Sequence, residues 1–344
     1  MIKVSHLTKR YGPVTAVKDL SFEIGEGHVY GFLGPNGAGK STTMNIMTGC
    51  LSPTKGQVLI DGHDIIEEPA DAKKCIGYLP ELPPLYMNDT PVEYLRFVGH
   101  AKGLKGQELR EQIAKVVDET KIESVKHRRI SELSKGFRQR VGIAQALIGN
   151  PKVIILDEPT VGLDPHQIVE IRDLIRSLGE NHTVILSSHI LSEVQAVCDQ
   201  IMIISHGKLV AFGTPEELED KLAGDKDLVL LTNADEGRVH EILMSLSSIK
   251  ALETERKGEV TTARIHSDAT DLHTVSEAVF DAFNDQNERL LELYIQKASL
   301  EDVFLRLTEE EAVAETLKPV KKQQSKKKKA EKKAASDESE VKES

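Results

Sequence analysis

The 344-residue sequence contains no tryptophan, only 4% aromatic residues and three cysteines, Cys50, Cys75 and Cys198. The cysteines lie far apart and form no C-x-x-C pair, so they predict neither a disulfide framework nor a thiolate zinc site. The 12 histidines show no H-E-x-x-H spacing. We therefore expect free thiols in a reducing compartment and no zinc.

Long apolar runs are also missing. No stretch approaches the roughly 18 residues that a membrane span requires. The first ten residues are charged and alternating, which indicates a strand and not a signal peptide. If this protein works at a membrane, we expect it to do so as a peripheral subunit on a partner.

Positive charge is scarce except at one end. The formal net charge is −11, yet residues 317–344 contain ten lysines and five acidic residues. An acidic body argues against nucleic acid as the main ligand. The Lys-rich tail, residues 317–344, has low complexity and is predicted to be disordered. It could be a solvated terminus, which we favour, or it could adhere weakly to an anionic membrane.

Glycine, in contrast, is concentrated in one informative stretch. Residues 34–42 have the spacing G-x-x-x-x-G-K-S of a phosphate-binding loop, between an apolar segment and a segment that can begin a helix. The glycines let successive N–H groups point into one concavity, and the helix start adds partial positive charge. We predict that Lys40 reaches the β- and γ-phosphates of ATP and that Ser41 holds Mg²⁺. The predicted loop residues are Gly34, Pro35, Asn36, Gly37, Ala38, Gly39, Lys40, Ser41 and Thr42.

The hydrophobic pattern predicts an α/β fold. Apolar runs at 153–156, 183–187 and 200–204 predict strands of a parallel core sheet with helical crossovers. Residues 1–27 and 57–61 also predict strands. Residues 90–150 predict a mainly helical block, which begins with a capping box and a proline at the first helical position.

Around residue 222 the pattern changes to that of a small α+β domain, which we predict over residues 222–310 with a ferredoxin-like arrangement. It carries no chemical motif. The predicted strands are 227–232, 260–266 and 290–296, and the predicted helices are 235–247, 271–284 and 299–310.

Two carboxylates follow the apolar run at 153–156. Asp157 suits a contact to Mg²⁺, and Glu158 suits a general base that polarises the attacking water. Both acids could instead cap the following turn. The phosphate-binding loop elsewhere in the chain favours the catalytic interpretation.

The segment Leu-Ser-Lys-Gly-Phe at residues 133–137 resembles the L-S-G-G-Q signature of ATP-binding-cassette (ABC) proteins. With the loop and the two carboxylates, the sequence from about residue 2 to residue 220 resembles the nucleotide-binding subunit of an ABC transporter. The resemblance implies a P-loop NTPase core with a parallel sheet, an antiparallel β subdomain and an inserted α-helical subdomain. It also implies that the helix start at Ser134 and Gly136 faces the γ-phosphate held by a second subunit.

Other residues receive roles by the same resemblance. Tyr11 resembles the aromatic residue that stacks on adenine, although a tyrosine at a strand edge is also common. Asp164 resembles the acid of the D-loop, and His189 resembles the switch histidine that contacts the γ-phosphate. Glu81 stands where the family usually has glutamine, and it is a predicted Mg²⁺ ligand.

The signature has lysine for its first glycine and phenylalanine for its glutamine, as in the exporter branch for drugs, polysaccharides or motility-related cargo. The predicted function is therefore an ATPase subunit, at the cytoplasmic face of the cell membrane, that energises a separate permease, with export favoured. Two copies, or one copy and a related subunit, are expected to close head to tail over ATP. The alternative is a non-transport ABC ATPase acting on nucleic acid or the ribosome. A single set of motifs and a short spacing from Lys40 to Ser134 disfavour it.

Overall fold

The computed structural model describes residues 1–222, 227–267, 269 and 271–296, with the backbone alone for 220–222 and 227. Within these ranges the chain forms three β-sheets. No helix in the described ranges combines the length and apolar character that crossing a membrane requires. The helix predicted at 299–310 and the Lys-rich tail lie outside the described residues.

The first sheet is antiparallel. Its strands are β1 (Ile2–Tyr11), β2 (Val14–Ile24), β4 (Lys55–Ile60) and β5 (His63–Asp64), in the order β2-β1-β4-β5. Alternate residues of β1 and β2 are buried, because successive side chains of a strand point to opposite faces. The strand predicted at 57–61 ends before Asp61, which takes a positive φ of 51° in the turn to Gly62. The predicted antiparallel subdomain is confirmed.

The second sheet is mainly parallel. It contains β3 (Val29–Leu33), β6 (Ile76–Leu79), β7 (Val153–Asp157), β8 (Thr183–Ser188), β9 (Gln200–Ser205) and β10 (Lys208–Gly213), in the order β10-β9-β3-β8-β7-β6. Only the pairing of β10 with β9 is antiparallel. Every residue of β3, β7 and β8 is buried, as is typical of parallel strands covered on both faces. The predicted parallel core is confirmed, although the sequence pattern predicts neither β6 nor β10.

The register of this sheet determines where functional residues meet. Leu33 of β3 pairs with Ser188 of β8, and Asp157 of β7 pairs with Ser187. The carboxyl ends of these three parallel strands therefore lie side by side, where ligands bind in open α/β sheets. The helices that follow or flank this sheet are α1 (Lys40–Met47), α2 (Pro69–Lys74), α6 (Pro165–Gly179), α7 (Leu191–Gln195) and α8 (Pro215–Leu222).

The inserted helical block contains α3 (Pro91–Ala101), α4 (Gly106–Glu119) and α5 (Lys135–Leu147), with single 3₁₀ turns at 123–125 and 130–132. The predicted capping box is present, because Thr90 and Glu93 bond reciprocally at the start of α3. Helix α5 packs closely on β6: a Cβ added to Gly77 would lie 2.1 Å from the carbonyl oxygen of Ala146. The predicted helical subdomain is confirmed.

The third sheet belongs to a β-α-β-β-α-β unit with its own apolar core. Its elements are β11 (Asp227–Thr232), α9 (Glu236–Met244), β12 (Ala251–Lys257), β13 (Val260–His266), α10 (Leu272–Asp285) and β14 (Leu290–Gln296). The antiparallel order β12-β13-β11-β14 is the ferredoxin-like arrangement. The sequence pattern does not predict β12, because most of its residues are exposed and charged. The domain boundaries of 1–220 and 222–310 stay a prediction.

Candidate functional site

The loop between β3 and α1 has a backbone that only glycine fits at two positions. A Cβ on Gly34 would lie 2.2 Å from the carbonyl oxygen of Ile204. Gly39 has a φ of 106°, and a Cβ there would lie 2.6 Å from the carbonyl oxygen of Ala16. The loop therefore packs tightly on the β9–β10 turn and on β2, which fixes its shape.

A cavity of about 470 Å³ opens in front of this loop. Six residues of the predicted loop line it together with Glu81, Glu158 and His189. The predicted site residues that do not line it are Gly34, Pro35, Ala38, Asp157, Tyr11, Ser134, Gly136 and Asp164. Ala16 and Val161 also line it, although no motif points to them. The lining residues are Ala16, Asn36, Gly37, Gly39, Lys40, Ser41, Thr42, Glu81, Glu158, Val161 and His189.

Lys40 holds a buried positive charge at the wall of the cavity. It is 6% exposed, and its Nζ donates hydrogen bonds to the carbonyl oxygens of Gly34 (2.7 Å) and Pro35 (3.3 Å). The same Nζ lies 3.7 Å from Oε1 of Glu158. Burial lowers the pKa of Lys40, and the charges of Glu158, Asp157 and Glu81 oppose that shift. A cation placed in this way can receive a phosphate group.

Ser41 and Asp157 present oxygen atoms to one another across the strand end. The Ser41 hydroxyl donates to Oδ1 of Asp157 at 3.4 Å, and the Ser187 hydroxyl donates to the same oxygen at 2.5 Å. Hydroxyl and carboxylate oxygens are hard donors that suit Mg²⁺. The described residues contain no group of three or more His, Cys, Asp or Glu side chains that could hold a metal. This donor set fits Mg²⁺, which is usually held by few protein groups together with phosphates and water.

Glu158 and His189 form a pair at the cavity. Glu158 is 8% exposed, and its Oε2 lies 3.0 Å from Nδ1 of His189. Burial raises the pKa of Glu158, whereas the hydrogen bond and charge of His189 and the charge of Lys40 lower it. The backbone N–H of Glu158 donates to the Ser187 hydroxyl at 2.9 Å. Ser187 is not predicted from the sequence. Its role depends on the pairing of β8 with β7, which places it beside Asp157.

Tyr11 does not line the cavity. It ends β1 with 48% of its surface exposed, and the Lys9 ammonium lies 5.3 Å from the centre of its ring. The exposed ring leaves a face on which a base could stack. Its role with adenine stays a prediction.

Ser134 and Gly136 lie at a second cavity, and Asp164 lines neither cavity. Ser134 caps α5 by accepting a hydrogen bond from the N–H of Phe137 (3.3 Å), and Asp164 caps α6 by accepting from the N–H of Gln167 (2.9 Å). Ser134 and Gly136 line a cavity of about 220 Å³, which shares no lining residue with the cavity at Lys40. Its lining residues are Lys121, Ser134, Gly136, Phe137, Arg140, Gln167, Glu170 and Ile171.

Comparison with known proteins identifies residues 17–161 as matching the family model described as ABC transporter. The chain is 34% identical over 312 residues to the linearmycin resistance ATP-binding protein LnrL of Bacillus subtilis, covering 90% of this chain and 98% of that protein. It is similar to a solved ATP-binding subunit of an ABC transporter, with a TM-score of 0.59, 30% identity and coverage of 64% of this chain and 93% of that one. It is also similar to a dimeric, post-hydrolysis state of the ATP-binding cassette MJ0796 bound to ADP and Pi, with a TM-score of 0.56, 28% identity and coverage of 62% and 98%.

Proposed function

The chain belongs to the ABC transporter family as an ATP-binding and ATP-hydrolysing subunit, and from this premise we propose that it drives a separate integral-membrane permease. Two copies, or one copy and a related ATPase subunit, close head to tail over two ATP molecules. Each ATP lies between the cavity at Lys40 of one copy and the start of α5, at Ser134, of the other. The supporting observation is that the two predicted phosphate-contacting sets line separate cavities.

In this site the phosphates of ATP bind to the loop N–H groups, the start of α1 and the Lys40 ammonium. The oxygen atoms of Ser41 and Asp157 would hold Mg²⁺, and Glu81, on the same cavity wall, would add a carboxylate oxygen. Bound there, Mg²⁺ neutralises charge on the phosphates. The start of α5 of the second copy completes the contacts to the γ-phosphate.

Glu158 acts as the general base in this proposal. Its buried carboxylate has a raised pKa, so it is a stronger base than an exposed glutamate. It takes a proton from the water whose oxygen attacks the γ-phosphorus, while the bond from that phosphorus to the bridging oxygen breaks and ADP leaves. His189, 3.0 Å from that carboxylate, orients it and contacts the γ-phosphate.

The variant Glu158→Gln tests the base. It keeps the shape of the side chain but cannot accept the proton, so we expect ATP to bind while phosphate release slows by about 10²- to 10⁴-fold. Binding of a fluorescent ATP analogue and a phosphate-release assay measure the two effects. Glu180→Gln, at the exposed end of α6, is the matched control and should hydrolyse ATP normally. Wild-type hydrolysis by Glu158→Gln would contradict the assignment.

An exposed apolar patch beside α3 supports the permease as partner. Leu82 is 84% exposed, and Tyr86, Met87 and Phe97 are exposed beside it in the sequence or on the helix. The rings of Tyr86 and Phe97 lie 5.1 Å apart, centre to centre. Exposed patches that contain aromatic residues are typical of protein interfaces. We assign this docking patch, Leu82, Tyr86, Met87 and Phe97, to the permease.

A basic segment borders the docking patch. The N–H groups of Ile130 and Ser131 donate to the carbonyl oxygens of Asp89 and Met87, each at 2.9 Å, which brings the exposed basic residues 127–129 alongside. A basic rim favours a permease segment that carries acidic residues next to apolar ones.

The variant Phe97→Asp tests the docking patch. Co-purification with the permease should weaken, while ATPase activity of the isolated subunit should persist because Phe97 does not line the cavity. Phe280→Asp, which changes an exposed phenylalanine of α10, is the control. Equal permease binding by both variants would argue against the patch.

Export is the proposed direction of transport, supported by the two departures in the signature and by the similarity to LnrL, a linearmycin resistance ATP-binding protein. The subunit would sit at the cytoplasmic face of the membrane.

For the Lys-rich tail a solvated terminus stays the favoured interpretation. Adhesion to anionic lipid is the alternative, and it would contribute on the order of 1 kcal/mol per lysine near the surface. Deleting residues 317–344 should then reduce flotation with anionic liposomes, and unchanged flotation would remove that role. Action on nucleic acid or the ribosome is not favoured, because the chain matches the ABC transporter family model and is similar to a solved ATP-binding subunit of an ABC transporter.

A further inference from the structure

Glu193 of α7 is a buried carboxylate outside the cavity at Lys40. It is 7% exposed, and it pairs with no lysine or arginine of the described residues. Its partners are two hydroxyl groups: Thr160 Oγ1 donates to Oε2 at 2.5 Å, and Ser188 Oγ donates to the same oxygen at 3.1 Å. Burying a charged group with only neutral donors costs free energy, and the two hydroxyl groups offset part of that cost.

The two hydroxyls belong to the turns that carry the Glu158–His189 pair. Thr160 follows Glu158 by two residues after the end of β7, and Ser188 directly precedes His189 at the end of β8. The Ser188 hydroxyl also accepts a hydrogen bond from the N–H of Ile190 at 3.0 Å. This bond joins the residues immediately before and after His189. One carboxylate oxygen of Glu193 thus connects both turns.

The turn at Glu158 is strained, so it depends on contacts that hold its backbone in place. Glu158 has a φ of 49°, in the left-handed region, which costs a non-glycine residue about 1–3 kcal/mol and persists only where surrounding contacts hold it. On its N-terminal side the contacts are the β7–β8 ladder and the bond to Ser187. On its C-terminal side the bond from Thr160 to Glu193 is a side-chain contact that ties the turn to β8 and α7.

We propose that Glu193 is a positioning residue for ATP hydrolysis. By joining the turns at Thr160 and Ser188 it sets the 3.0 Å contact between Glu158 and His189, and so places the base for the attacking water. This inference rests on the proposed roles of Glu158 and His189.

The test compares three substitutions at one position. Glu193→Ala should lower kcat by about 10- to 100-fold through misplacement of the base, with KM and ATP affinity within about twofold, since Glu193 does not line the cavity. Glu193→Gln keeps an oxygen that can accept both hydroxyl protons and should restore most of kcat. Glu193→Asp shortens the reach and should fall between them.

The hydroxyl partners supply a second test that does not remove the buried acid. Thr160→Val should reproduce part of the loss of kcat, and adding it to Glu193→Ala should cause little further loss, because both changes break the same contact. If the two losses multiply, the residues act independently and the proposal is overturned.

Asp64 is the matched control, because it is also a buried carboxylate held by neutral donors, Gln57 Nε2 and the N–H of Ile66, each at 2.8 Å. Asp64→Ala should lower Tm but not kcat. A wild-type kcat for Glu193→Ala, or an equal loss of kcat for Asp64→Ala, would overturn the positioning role. Wild-type hydrolysis by Glu158→Gln would instead refute the assigned base on which the inference rests.

Discussion

At the scale of single residues, the main feature is a group of charges buried together. Burial lowers the pKa of Lys40 and raises that of Glu158, and each charge partly reverses the shift of the other. Shifts of this kind are typical of functional sites, where charged groups are held for a ligand and not for stability. Single substitutions there should therefore affect nucleotide binding or hydrolysis more than folding.

Lys40→Ala tests this for binding. The variant loses a charge-assisted contact to the phosphates, worth about 1.5–3 kcal/mol, so ATP affinity should fall by about 10- to 100-fold. Circular dichroism should stay that of the folded protein. Lys152→Ala, which removes a surface lysine paired with Asp61 at 2.7 Å, should leave ATP affinity unchanged. Isothermal titration with ATP measures both, and equal affinities would refute the assigned role of Lys40.

The Glu158–His189 pair predicts a dependence on pH. A base must be ionised, so activity should fall as pH drops through the raised pKa of Glu158. His189→Ala removes a hydrogen bond and a charge that lower this pKa, so the pKa should rise and the ionised form should be lost at higher pH. Carboxyl ¹³C NMR of Glu158 can follow this directly. His166→Ala, at an exposed position on α6, is the control, and an unchanged Glu158 pKa in His189→Ala would contradict the coupling.

Motifs predict those site residues whose spacing is fixed by local geometry, such as the loop from Gly34 to Thr42 and the two acids, Asp157 and Glu158, at the end of β7. Ser187 and Glu193 have no such spacing. Their contacts to the turn at Glu158 are made with Asp157 and Thr160, which are 30 and 33 residues away, and these contacts exist because β7 and β8 are neighbours in the sheet. Strand order is a tertiary property, so a single sequence does not reveal them.

At the scale of elements, the sequence likewise predicts what local pattern determines and does not predict what depends on tertiary pairing. Strands β7, β8 and β9 are continuous apolar runs, and this pattern predicts them within one residue. Strand β6 is four residues long and contains Gly77, so it shows no clear period. Strand β12 is charged and largely exposed, and it is stabilised by pairing with β13 more than by its own side chains.

The contact of β6 with α5 predicts a loss of stability for Gly77→Ala. The added Cβ would meet the Ala146 carbonyl oxygen at 2.1 Å, so helix and strand must separate, at a cost of about 1–3 kcal/mol. Gly237→Ala, in α9, meets only the Asp235 carboxylate at 3.4 Å and should be neutral or slightly stabilising. Thermal unfolding measures both. Equal Tm values would contradict the close packing of β6 on α5.

At the scale of the whole molecule, one chain carries two halves of the proposed ATP site, at cavities with separate linings. Within one copy, Ser134 and Gly136 do not line the cavity at Lys40. A second copy related by a two-fold axis would pair each copy's cavity at Lys40 with the other copy's cavity at Ser134, because such an interface makes every contact twice. The order of motifs along the chain does not reveal this arrangement, since it depends on where the two sites lie in space.

The proposed dimer predicts how the subunit should associate. Glu158→Gln should bind ATP without hydrolysing it. The γ-phosphate should then stay bound between Lys40 of one copy and the start of α5, capped by Ser134, of the other. Analytical ultracentrifugation should then show a shift from monomer to dimer with ATP and Mg²⁺ but not with ADP, which lacks the γ-phosphate.

Adding Ser134→Arg to Glu158→Gln should abolish the shift from monomer to dimer. The long arginine side chain would occupy the position at the start of α5 where the γ-phosphate is proposed to bind. Ser177→Arg in the same background is the control, since Ser177 lies on α6 and lines neither cavity. ATP binding to the monomer should be similar in all three proteins, because Lys40 and its loop are unchanged. Dimerisation of the Ser134→Arg double variant with ATP would show that the start of α5 does not form the other half of the site. Loss of the shift in that variant alone would locate the γ-phosphate between the two copies.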